Sequence, residues 1–173
     1  MPESITNSFN NNYNSPITIK NNVQKIPNQL SLKLSKSTCI GRKKELIEIE
    51  DNLLISDNAL LIKEIGGIGK STIASTYINK HKNNFDYYGF FEGIESFLTE
   101  LRINLDIKSE KEQDAFIEIL FKLGNLEGKK LLVLDDIKDI DNNQEKIKSI
   151  LELKHKGYSI LLTSREEIEK VKI

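Results

Sequence analysis

The sequence predicts an α/β fold, a parallel sheet of three-layer type with helices on both faces. Three observations carry this. From Cys39 onward short apolar runs alternate with amphipathic stretches. One of these runs, Ala59–Ile65, flows directly into a glycine cluster that opens a helix. Polar motifs follow the apolar runs, and ligands of parallel sheets sit beyond the carboxyl ends of the strands.

The elements follow in order. Arg42–Ile55 carries Leu46, Ile49 and Leu53 at helical spacing. Ala59–Ile65 (ALLIKEI) reads as a buried strand, and Lys70–Lys82 sets Ile73, Ala74, Tyr77 and Ile78 on one helical face. Tyr87–Glu92 (YYGFFE) is aromatic-rich and reads as a second strand. Helices follow at Ser96–Leu105, with Phe97, Leu98, Leu101 and Leu105 stacked, and at Asp114–Leu123, with Gly124 as its C-cap. Lys130–Leu134 (KLLVL) is the third strand, Gln144–Leu153 a helix stopped near Gly157, and Tyr158–Thr163 (YSILLT) the fourth strand. Ser164-Arg165-Glu166-Glu167 has the Ser-x-x-Glu form of a capping box, which predicts that a final helix begins there.

Composition divides the chain near residue 38. Residues 1–28 hold eight of the 17 Asn and all three Pro. Residues 1–36 read as mostly disordered, because so few large apolar residues cannot offset the entropy of ordering. The expected organisation is an Asn-rich disordered tail over 1–38 and one domain over 39–173. With 173 residues the chain can bury about 70% of its unfolded surface, so a disulfide or metal staple is unnecessary. One cysteine, Cys39, excludes an intrachain disulfide and a cysteine-based zinc site. A net charge of -1 argues against nucleic-acid binding by bulk electrostatics. No apolar run approaches a membrane span, and no secretory leader is visible, so a cytoplasmic protein without membrane or nucleic-acid partners is expected.

The chemistry concentrates in two motifs. Glu64-Ile65-Gly66-Gly67-Ile68-Gly69-Lys70-Ser71-Thr72 lies between a strand and a helix. Three glycines let the backbone curl so that its N–H groups form an anion nest, reinforced by the helix N-terminus. Lys70 can then reach outer phosphates, and the Ser71 hydroxyl suits a hard cation such as Mg2+. The pattern G-x-x-x-x-G-K-S is met except at its first position, where Glu64 stands. A carboxylate there repels a polyphosphate unless its side chain points away. The second motif, Leu131–Asp136, ends a buried strand in two carboxylates. Asp135 suits Mg2+, and Asp136 suits orienting and deprotonating a water near a γ-phosphate.

Arginine is scarce: against 22 Lys the chain has only Arg42, Arg102 and Arg165. A guanidinium fork is suited to phosphate, and Arg165 falls just past the fourth strand, which suits sensing a γ-phosphate. Arg102 reads as a surface residue, as do His81 and His155, both near helix ends.

Together these residues resemble the STAND class of P-loop NTPases, of the NB-ARC type. The resemblance covers residues 39–173, about four fifths of the chain. Ile40-Gly41-Arg42-Lys43-Lys44-Glu45-Leu46 resembles the family's h-G-R-x-x-E-L segment, which implies that Ile40, Gly41 and Arg42 lie against adenine and ribose. Gly66, Gly67, Ile68, Gly69, Lys70, Ser71 and Thr72 resemble its Walker A, and Leu131–Asp136 its Walker B. Phe85-Asp86-Tyr87-Tyr88 is similar to the segment leading to its second strand, and Thr163-Ser164-Arg165 to its sensor motif. Ile137-Lys138 stands where the family often has an aromatic residue.

The resemblance implies strand order 2-3-4-1, with a fifth strand expected beyond the final helix, so that the chain looks like the nucleotide-binding subdomain alone and Ala59–Ile65 is left at an edge. It implies ATP or ADP with Mg2+ as ligands, Ser71 and Asp135 at the metal, and Lys70, Asp136 and Arg165 in catalysis. The expected function is a switch module of a signalling ATPase. Slow hydrolysis would be coupled to oligomerisation or a protein partner, in defence or stress signalling. The alternative is a non-hydrolysing interaction module that pairs with a larger partner. A small kinase fits less well, because no lid with clustered arginines is evident.

Overall fold

Four apolar runs form the strands β1 (Ala59–Lys63), β2 (Tyr87–Glu92), β3 (Lys130–Ile137) and β4 (Tyr158–Ser164). The computed structural model describes residues 25–34, 41–54, 59–63 and 69–165. All four strands are parallel, in the order β1-β4-β3-β2, which read from the other edge is the expected 2-3-4-1. The intervening helices are α1 (Lys43–Leu54), α2 (Lys70–His81), α3 (Gly93–Asn104), α4 (Glu112–Gly124) and α5 (Ile140–Leu151). The expected final helix after Ser164 and the strand end at Glu64-Ile65 lie outside the described residues.

The sheet faces follow the two-residue period of the strands. Leu131 and Val133 of β3, Leu161 of β4 and Phe90 of β2 point to one side. There they meet Leu46, Ile49 and Leu53 of α1 and Ile73, Ala74, Tyr77 and Ile78 of α2. Leu132, Leu134, Ile160, Leu162 and Phe91 point to the other side, against α3, α4 and α5. A fully buried leucine contributes about 1.5–3 kcal/mol, so the central strands, with all their leucines inside, carry much of the stability. At the far end of the sheet Tyr158 donates its hydroxyl to the Leu123 carbonyl at 2.8 Å, and burial pushes its phenol well above the usual range.

Three boundaries differ from the sequence reading. Helix α3 starts at Gly93 rather than Ser96, because Gly93 takes φ +79 and turns the chain straight from β2 into the helix, burying Ile94. Helix α5 starts at Ile140 rather than Gln144, since Ile140 joins the same core. Strand β3 continues past Leu134 through the acidic pair to Ile137.

The larger correction concerns the tail. Residues 25–34, expected to belong to a disordered segment, run along the outer edge of β2. The Leu30 amide donates to the Tyr88 carbonyl at 2.7 Å, and the Tyr88 amide donates to the Asn28 carbonyl at 2.9 Å. Ser31 Oγ accepts from the Phe90 amide at 3.1 Å, and Asn104 Nδ2 on α3 donates to the Leu30 carbonyl at 2.6 Å. Leu30 is fully buried with Phe91 and Phe97. One inserted leucine and a row of main-chain bonds offset the ordering cost that composition alone leaves unmet, and they cover an edge that would otherwise offer itself for pairing.

Candidate functional site

Parallel strands deliver their carboxyl ends to one edge of the sheet, and at that edge lies a cleft of about 500 Å3. Ser71 reaches it from the first turn of α2, Asp135 and Asp136 from β3, and Arg165 from the residue after β4. Four of the expected site residues therefore share one cavity. Gly69 precedes α2 with φ +74, a left-handed conformation that glycine takes without the Cβ penalty. Gly69, Lys70 and Thr72 lie within two residues of Ser71 in the chain but are not among the described residues lining the cleft. Gly66, Gly67 and Ile68 of the glycine loop lie outside the described residues, as do Ile40, Cys39 and Glu64.

Gly41 and Arg42 are not brought to this cleft either. Arg42 pairs with Glu45 at 2.8 Å in the first turn of α1, and the guanidinium holds that carboxyl below its usual range. Arg102 is half-buried rather than a plain surface residue, donating to the Ser109 carbonyl at 2.7 Å.

The acidic pair does not sit in a regular ladder. Leu134 pairs with Leu162 and Ile137 with Ser164, so Asp135 and Asp136 oppose the single residue Thr163. This is a β-bulge. Asp136 takes φ +51, a conformation Asp tolerates better than most residues. Successive residues of a regular strand face opposite sides, yet here both carboxylates line the same cleft. Thr163 Oγ1 donates to Asp135 Oδ1 at 2.6 Å and accepts from the Asp136 amide at 2.8 Å. Asp135 is buried, 5% exposed. Asp136 stands between two cations, with Lys138 Nζ at 2.9 Å and Arg165 Nε at 3.4 Å.

Sequence reasoning did not single out Glu92, Glu95, Asp139 or Asn143, which also line the cleft. Glu92 was within reach of it: the residue ends β2 in register with Asp135, so the carboxyl-end rule applies to it equally. The two histidines divide. His155 is exposed, as expected. His81 is buried, 7% exposed, stacked on Tyr77 with ring centroids 4.6 Å apart.

A family model described as "NB-ARC domain" matches residues 42–171. The chain belongs to that family. The crystal structure of Cdc6p from Pyrobaculum aerophilum has a similar fold, with a TM-score of 0.50 at 12% identity over 83% of this chain. That likeness bears on the fold alone, and the NB-ARC chain spans 41% of that protein's length. A search of curated proteins finds no match. Family and fold are those of a P-loop nucleotide-binding module. Among the described residues no helix is long and apolar enough to cross a membrane.

The donor set in the cleft fits the ion such modules employ. Ser71 and Asp135 offer a hydroxyl and a carboxylate, the hard oxygen donors Mg2+ prefers. Among the described residues no group of three or more His, Cys, Asp or Glu forms a metal cage.

Proposed function

We propose that this NB-ARC domain is a Mg-ATP/ADP-binding switch module whose nucleotide state biases assembly with a protein partner or with further copies. The observation that carries the reading is the convergence of Ser71, Asp135, Asp136 and Arg165 on one cleft at the carboxyl edge of the sheet. In this reading Gly66, Gly67, Ile68, Gly69 and Thr72 wrap the phosphates with main-chain amides, and Lys70 neutralises their outer charge. Ile40, Gly41 and Arg42 contact adenine and ribose. Ser71 and Asp135 would hold Mg2+, which would supply positive charge against the phosphates. Asp136 orients a water, and Arg165 reports whether a γ-phosphate is present. The setting is a cytoplasmic STAND-type signalling protein, in defence or stress responses. Titration of the purified chain with ATP and with ADP, each with and without Mg2+, tests it. Micromolar binding strengthened by Mg2+ is expected, and no binding of either nucleotide would sink it.

A second reading, a non-hydrolysing interaction module, has one observation in its favour. Asp136 is already compensated by Lys138 and Arg165. A carboxylate already engaged by two cationic side chains has fewer free lone pairs with which to hold an attacking water. Nucleotide binding without measurable phosphate release would select this reading over slow hydrolysis.

A further inference from the structure

The bulge at the acidic pair has a single residue opposite it, and that residue is not passive. We propose that Thr163 is a positioning residue that sets the Asp135 carboxylate for Mg2+ and holds Asp136 in its turned conformation. The inference rests on the nucleotide-binding reading above and gives a role to a side chain that the sensor-motif resemblance leaves without one.

A hydroxyl has one hydrogen to donate and two lone pairs to accept with, and Thr163 uses both kinds of capacity on the acidic pair. Its hydrogen goes to Asp135 Oδ1, which commits that oxygen and leaves Oδ2 to a ligand. A lone pair takes the Asp136 amide, the donor that the extra residue has displaced from the regular ladder. Thr163 is 1% exposed, so no water competes for these bonds. Its β-branched side chain has few rotamers, so the hydroxyl is fixed before a ligand arrives. Ser164 adds a second tie across the same strands, donating from Oγ to the Ile137 carbonyl at 2.9 Å. The two β4 hydroxyls thus replace the ladder bonds lost at the bulge. One mechanical consequence is that both carboxylates reach one cleft, which a flat ladder would forbid.

The test compares Thr163→Val, which keeps the shape and loses the hydroxyl, with Thr163→Ser, which keeps the hydroxyl. Nucleotide affinity of the full chain is measured by calorimetry in Mg2+ and in EDTA. Loss of a group that orients a metal ligand commonly weakens metal affinity about 10–100-fold. Thr163→Val should therefore lose at least about tenfold in affinity with Mg2+ and little in EDTA, with Thr163→Ser close to wild type. Equal Mg2+ dependence in all three would overturn the proposal. Amide exchange of Asp136 gives a readout that needs no nucleotide. It should be slow in the wild type and in Thr163→Ser, and fast in Thr163→Val. If wild type binds no nucleotide, the functional reading falls, and this exchange pattern alone then decides the positioning claim. Unchanged Asp136 protection in Thr163→Val would refute it.

Discussion

Arg165 Nε lies 3.4 Å from Asp136 Oδ1, where β4 leaves the sheet beside the bulge of β3. The guanidinium is largely exposed and so contributes about 1 kcal/mol or less to stability through this pair. In the proposed reading its role is to reach a γ-phosphate. A γ-phosphate in the cleft offers more negative charge than one carboxylate already shared with Lys138. Arg165→Ala should narrow the affinity ratio between ATP and ADP by about tenfold, while the melting temperature falls by no more than about 4 °C. Calorimetric titration with each nucleotide, alongside a thermal melt, checks both halves.

His81 gives the domain a pH dependence separate from the site. Burial lowers its pKa from 6.5, and Glu50 on α1, 3.7 Å from Nδ1, opposes this less strongly. Lys80 beside it adds to the lowering, and Tyr77 and Lys129 share its small cavity. Nε2 is buried and has no hydrogen-bond partner among the described residues, which suits the neutral ring. In the unfolded chain the ring takes a proton as pH falls through 6.5, whereas the folded ring resists until lower pH. The stabilisation is therefore complete above 6.5 and is lost on the way down. The shifted carboxyls Glu45, Glu112 and Glu118 start from 4.5, so their losses come at lower pH. Urea midpoints between about pH 5 and 7 should fall with acid in wild type and stay nearly flat in His81→Phe.

The segment over β2 should behave as an attached but separable element. Leu30→Ala removes a fully buried side chain and is expected to cost about 2–5 kcal/mol of local stability. Hydrogen exchange at Tyr88 and Phe90, whose amides bond to Asn28 and Ser31, should rise well before exchange in central β3. Uniform acceleration across the sheet would mean that the segment unfolds only with the whole domain.

Tyr158 ties the opposite end of the sheet to α4. Tyr158→Phe leaves the Leu123 carbonyl without this bond and should destabilise by about 1–3 kcal/mol. Lys130 Nζ, 4.9 Å from the ring centroid, keeps its contact because the ring remains. Nucleotide affinity should not change, since β4 places Tyr158 at the edge away from the cleft.

These residues also mark what could be read in advance. Strands such as Leu131–Leu134 were legible because fully buried parallel strands are apolar without interruption. Ser71, Asp135, Asp136 and Arg165 were legible because each follows a strand or opens a helix at the edge where parallel sheets expose their ligands. The placement of Leu30 was not, because its partners lie 58 residues and more away and Asn and Pro dominate its neighbourhood. The bulge was not, since two aspartates at a strand end look the same whether or not the ladder slips. His81 was partly legible: four residues after Tyr77, it shares that residue's buried helical face.

Titration of wild type and Lys70→Ala with Mg-ATP and Mg-ADP decides whether the glycine loop grips a nucleotide's phosphates. The wild-type chain should bind each nucleotide at micromolar concentrations, and the variant should lose at least about tenfold in affinity with an unchanged melt. Equal affinity of the two proteins for either nucleotide would contradict it.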